Sequence, residues 1–161
     1  MDLPGTPDCP PGCAAGTPIL APRGWVPIER LDPGTHISTV NGIHHAVRID
    51  RHSRVPVFLV ETEDGQRLRA SGACLVRTRA SDDPRERAWT RVDVLRAGDT
   101  VDTHLGPRRV ASVSPDGAED VYLLHEPHTR TYIAGGYICR AAGHTAPPPC
   151  AYSRGSPRGA A

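Results

Sequence analysis

The later part of this chain repeats the earlier part at a fixed distance. Shifted by 64 positions without gaps, Leu31, Gly34, Ile37, Thr39, Gly42 and Ile49 fall on Leu95, Gly98, Val101, Thr103, Gly106 and Val113. In the same register Val57-Phe58-Leu59-Val60 falls on Val121-Tyr122-Leu123-Leu124. Self-similarity at constant spacing marks a duplicated structural unit, because each matched apolar or glycine position meets the same packing or turn requirement twice. Two copies of one β unit, intertwined about a pseudo-two-fold axis, are expected; the alternative is a plain meander with similar turns.

The units are built of short strands. Apolar stretches recur at Thr17 to Leu20, Val26 to Leu31, His36 to Val40, Ala46 to Ile49, Val55 to Glu61, Leu68 to Ala70 and Cys74 to Thr78. A second series runs Trp89 to Leu95, Thr100 to Asp102, Arg109 to Val113, Val121 to Leu124 and Thr131 to Cys139. Turn signals separate them at Pro33-Gly34, Asn41-Gly42, Asp64-Gly65, Asp116-Gly117 and Gly135-Gly136. Only Ser81 to Ala88 is polar enough for a long surface excursion. With 16 Gly and 17 Pro but one Phe, two Trp and four Tyr, the core rests on Val, Ile, Leu and Ala, a mixture that favours strands over long helices.

A chain of 161 residues is about one domain. Residues 1–12 are a Pro-rich leader and residues 143–161 a tail of Pro, Gly, Ser, Arg and Ala; neither can bury enough apolar surface to offset the entropy of ordering. The working domain is 13–142, with disordered termini. A formal net charge of +1 excludes bulk electrostatic attraction to nucleic acid or membrane. No run of about 18 apolar residues spans a bilayer, and the opening lacks the apolar centre of a signal peptide. A soluble, intracellular monomer is expected.

Cys9, Cys13, Cys74, Cys139 and Cys150 are odd in number and widely spaced, which reads as free thiols in a reducing compartment. Cys74, Cys139, His125 and His128 offer the donors zinc prefers, but their spacing fits no standard zinc module, so neither metal nor cofactor is expected. Cys13 carries the chemistry. It follows Pro10-Pro11-Gly12 directly, where the leader meets the first strand, so its thiol can attack the carbonyl of Gly12 in its own chain.

Cys13-Ala14-Ala15-Gly16-Thr17, followed by Val26-Pro27-Ile28-Glu29-Arg30-Leu31-Asp32-Pro33-Gly34, resembles the opening motifs of the Hint (hedgehog and intein) autoprocessing superfamily. Trp89 to Leu95 with Gly98-Asp99-Thr100-Val101 is similar to the late repeat of the second motif in bacterial members. Val121-Tyr122-Leu123-Leu124 and Thr131 to Cys139 look like its closing strands. The resemblance implies an all-β, pseudo-two-fold horseshoe whose active site gathers both ends of the domain beside a central motif. It also implies single-turnover chemistry in which Cys13 converts the Gly12-Cys13 peptide bond to a thioester. The partner is then the chain's own N-terminal flanking peptide, a cis substrate.

Departures from the family pattern limit that reaction. Its central T-x-x-H motif, whose hydroxyl holds the scissile amide and whose imidazole protonates the leaving nitrogen, is matched by Ser71 and Cys74. Leu123 stands in place of an acid, and Arg130-Thr131 in place of a histidine before Tyr132; a rearranged loop would let His125 or His128 return an imidazole. The closing His-Asn pair of inteins aligns with Arg140-Ala141, and Asn41 is the only Asn in the chain, so Asn cyclisation and full splicing have no reactant. The expected catalytic set is Cys13, Ser71 and Cys74. The alternative is an inert Hint-like binding or structural module.

Overall fold

A threonine at each matched turn shows how the repeat becomes structure. Thr39 Oγ1 donates to Gly42 O at 2.8 Å and accepts from Asn41 N–H at 3.2 Å. Sixty-four residues on, Thr103 Oγ1 donates to Gly106 O at 2.6 Å and accepts from Leu105 N–H at 3.1 Å. Each hydroxyl satisfies two backbone groups that a tight turn leaves open. The same period governs a 3₁₀ turn at Ile28–Arg30 and its copy at Val92–Val94. The buried faces repeat too: Ile28, Leu31 and Ile37 enter one core with Val92, Leu95 and Val101. Burying each such side chain contributes about 1.5–3 kcal/mol.

The computed structural model describes residues 10–45, 48–79 and 85–141. Residues 1–9 of the leader, Ala46 and Val47 of an expected strand, part of the expected surface excursion and the expected tail lie outside them. The described elements are β1 (Cys13–Ala14), β2 (Pro18–Ala21), β3 (Gly24–Pro27), β4 (His36–Thr39), β5 (Gly42–His45), β6 (Arg48–Thr62) and β7 (Arg67–Ser71). They continue with β8 (Leu75–Arg79), β9 (Arg87–Arg91), β10 (Thr100–Thr103), β11 (Gly106–His125), β12 (Thr131–Ala134) and β13 (Tyr137–Arg140). The expected all-β architecture is what forms, and among the described residues no helix is long and apolar enough to cross a membrane.

One large antiparallel sheet runs in the order β1, β7, β6, β11, β10, β8, β13, β12, β2, β3, with β9 on β8; β4 and β5 form a separate hairpin. Its spine is the pair β6 and β11, joined from His125 opposite Arg48 to Val110 opposite Thr62 with register shifts between Val110 and Ser112, Pro115 and Ala118, and Glu119 and Val121. The turn expected at Asp116-Gly117 is instead a register shift inside β11, where Pro115 faces Phe58 and Ala118 faces Pro56. Gly117 takes a φ of +81°, so the Asp-Gly signal supplies a bulge here rather than a hairpin. Arg69 of β7 fixes it, donating from Nε to Asp116 Oδ2 at 2.7 Å and from its Nη2 to the Asp116 carbonyl. The two stretches Arg109 to Val113 and Val121 to Leu124 are thereby one strand.

Elsewhere the sheet is clamped by charge. Asp102, 2% exposed in β10, accepts from Arg77 at 2.8 Å, from Arg79 and from Arg87 at 2.8 Å. Three guanidinium groups on β8 and β9 thus converge on one buried carboxylate.

Candidate active site

Two residues long, β1 is wedged between two partners, Cys13 lying opposite Ala70 of β7 on one side and Tyr122 of β11 on the other. This double pairing sets the chain just before Cys13 hard against β11. Gly12 has a φ of +154°, and a Cβ built there would lie 2.7 Å from the Tyr122 carbonyl oxygen, so only glycine passes. The Gly12 carbonyl oxygen in turn accepts a hydrogen bond from the Ser71 amide at 2.9 Å.

Ser71 ends β7, and a turn closed by Cys74 N–H on Ser71 O at 3.0 Å brings Cys74 back toward Cys13. The expected trio Cys13, Ser71 and Cys74 therefore meets, at 0%, 0% and 1% exposure. The Ser71 hydroxyl is buried without a hydrogen-bond partner among the described residues. Such a group costs about 1–3 kcal/mol of desolvation, which a fold tolerates most readily where the group has another use.

Two members of the cluster were not expected there. The Tyr132 hydroxyl of β12 lies 3.4 Å from Cys13 Sγ. Cys139 arrives from β13, paired with Val76 of β8 and Tyr132 of β12, and its sulfur lies within 4.8 Å of those of both Cys13 and Cys74. The alternation of β13 was the available signal: Cys139 shares a face with Tyr137, which is also fully buried.

The histidines weighed for the site are engaged elsewhere. His125 Nε2 lies 2.8 Å from Asp50 Oδ2, and the His128 ring stacks on His44 with centroids 4.9 Å apart. The zinc set considered from sequence accordingly divides, its two cysteines joining Cys13 and its two histidines lying with other partners.

The electrostatics single out one thiol. Hydrogen bonds from Cys139 and then Cys74 outweigh burial and, with Tyr132, hold the Cys13 pKa well below the usual thiol range. Hydrogen bonding to Cys13 is the first cause that pushes Cys74 and Cys139 well above it. Burial does the same to the Tyr132 hydroxyl. The cluster therefore favours charge on Cys13 over charge on Cys74, Cys139 or Tyr132.

No family model and no curated protein sequence matches the chain. Crystal structures do match. The gp41-1 intein superposes with a TM-score of 0.71 over 81% of this chain and 98% of that one, at 12% identity. The DnaB intein from Synechocystis sp. PCC 6803 gives 0.70 over 83% and 99%, at 18% identity. The chain has the Hint fold. The MchDnaB-1 intein gives 0.67 over 80% and 98%, at 22% identity. What sequence motifs suggested, the backbone bears out: a Hint horseshoe with Cys13 on its first strand and the closing strands β12 and β13 folded back onto it.

Proposed function

We propose that this Hint domain cleaves the Gly12-Cys13 bond of its own chain through a thioester, without full splicing. Cys13 Sγ attacks the Gly12 carbonyl carbon, and the oxygen takes up negative charge facing the Ser71 amide. As the tetrahedral species collapses, the carbon–nitrogen bond breaks, the Cys13 amide nitrogen takes a proton and becomes an amine, and the acyl group of Gly12 remains on sulfur. Water or an external thiol then releases the N-terminal flanking peptide, the cis substrate. Cys74 is the proton donor in this scheme, in the position where the family motif carries histidine. The Ser71 hydroxyl, buried without a partner among the described residues of the resting domain, turns in this scheme to the scissile amide, the role of the family's threonine.

The observation that carries the reading is the 2.9 Å bond from Ser71 N–H to the Gly12 carbonyl oxygen. A donor fixed on the oxygen that will carry charge is worth about 10²- to 10³-fold in such reactions. Replacing an imidazole acid with a thiol forfeits part of the 10²- to 10⁴-fold that general acid catalysis supplies, so the reaction is slow. The absent imidazole also favours a second reading, an inert Hint module kept for binding or structure. Intact mass of the purified chain with and without hydroxylamine or dithiothreitol separates the two. Loss of residues 1–12 that disappears in Cys13→Ala supports cleavage, and a full-length mass under every condition sinks it.

A further inference from the structure

Three thiols from three distant parts of the chain share one point in the core. The sulfurs of Cys13, Cys74 and Cys139 all lie within 4.8 Å of one another and none is more than 1% exposed. Their positions are set by backbone rather than by loose side chains: β1 lies between β7 and β11, the Cys74 turn is closed on Ser71, and β13 is paired along its length with β12. Packing alone does not call for sulfur at all three positions, since alanine or valine fills such volume.

Three converging thiolates select a soft cation. A trigonal ion with metal–sulfur distances of about 2.3 Å needs sulfurs about 4.0 Å apart, which small χ1 adjustments reach from the present spacing. Zinc in a closed structural site takes four ligands. Here the other polar groups of the site are hydroxyls, that of Tyr132 3.4 Å from Cys13 Sγ and that of Ser71, both fully buried and neither a soft donor. No imidazole or carboxylate belongs to the cluster among the described residues. Three soft donors without a fourth suit a monovalent d10 ion, for which three-coordination is an ordinary state.

We propose that Cys13, Cys74 and Cys139 form a trigonal thiolate site for copper(I). Binding replaces thiol protons with three metal–sulfur bonds and changes no oxidation state; the displaced protons pass to solvent. With copper in place the lone pair of Cys13 Sγ is committed, so metal loading and attack on Gly12 exclude each other. That consequence rests on the cleavage reading, whereas the binding itself does not.

The test uses the full chain with Cys9→Ser and Cys150→Ser, reduced and free of oxygen, titrated with copper(I) against a chromophoric copper(I) chelator. Expected are one copper per chain by native mass spectrometry, sulfur-to-copper charge-transfer absorption, and three sulfur neighbours by X-ray absorption. Cys139→Ser and Cys139→Ala should each weaken binding at least tenfold while circular dichroism stays unchanged. The same loss in Cys74→Ser completes the assignment. Absence of stoichiometric binding in the folded chain, two-sulfur coordination, or undiminished affinity in both Cys139 variants would overturn it. A chain that binds copper as described but never loses residues 1–12 keeps the site and removes only the cleavage reading.

Discussion

The amide of Ser71 donates to the carbonyl oxygen of Gly12 at 2.9 Å, while the hydroxyl of the same Ser71 is buried with no partner among the described residues. One residue thus offers a satisfied donor and an unsatisfied polar group beside the Gly12-Cys13 bond, the one the proposed cleavage would break. Ser71→Ala keeps the amide and deletes only the hydroxyl. It should raise stability by about 1 kcal/mol in urea unfolding, because a desolvated unpaired group is lost. It should also slow release of residues 1–12, read by intact mass; a faster or unchanged rate would remove the hydroxyl from the chemistry.

Gly12→Ala should cut cleavage at least 100-fold. The new methyl would stand 2.7 Å from the Tyr122 carbonyl oxygen, and its neighbour is strand backbone, which cannot swing aside as a side chain would. Either β1 moves away from β11 or the residue leaves its present conformation, and both separate the carbonyl from the Ser71 amide. Hydroxylamine-dependent mass loss over time measures the effect.

Cys74→His returns an imidazole to the position the family motif gives it. Cleavage should accelerate by about 10²- to 10⁴-fold, the usual return on a positioned general acid. The larger ring should also cost about 1–3 kcal/mol through overpacking of a buried site. A destabilised variant with no gain in rate would show that proton donation to the leaving amine is not what limits the reaction.

Glu126 is expected to make the fold sensitive to acid. It is fully buried, and its carboxylate accepts from the amides of His128 at 2.6 Å, Thr129 at 2.8 Å and Arg130 at 3.0 Å and from the Thr129 hydroxyl at 2.6 Å. Burial pushes its pKa up, but these donors outweigh burial and bring it below the usual value. A carboxyl with a lowered folded pKa contributes stability above its unfolded value of about 4.3, and that contribution is lost as pH falls through the folded value. Urea midpoints at neutral pH and near pH 3 should therefore differ less in Glu126→Gln than in the parent chain. An equal acid-induced drop in both would assign the acid sensitivity to other groups.

Asp102→Ala should destabilise the domain by about 3 kcal/mol, the usual result of removing one partner from a buried ion pair and leaving its counterpart charges together. Three arginines would then face one another across β8 and β9. The denaturation slope should stay constant. Copper binding in the folded variant should persist, since no atom of this clamp belongs to the thiol cluster.

Local requirements were legible in the sequence because each is met by residues close together in the chain. The threonine and glycine of each turn, the apolar faces of Ile28 and Val92, and the place of Cys13 at the head of the first strand all follow from short-range stereochemistry, and the 64-residue period exposed them twice. The meaning of Asp116-Gly117 was not fixed that way. A positive φ at Gly117 suits a hairpin or a bulge equally, and only the continuous partner strand β6 makes it a bulge. The site divides along the same line. Ser71 and Cys74 were found through a motif of four consecutive positions, whereas Tyr132 and Cys139 reach Cys13 from 119 and 126 residues away. The alternation of β13 marks Cys139 for burial, but nothing near either residue says which buried partner it meets. The sheet order, which folds β12 and β13 back beside β2 and β8, turns three scattered cysteines and one tyrosine into a single buried cluster, and long-range pairing of this kind is decided by the packing of the whole sheet.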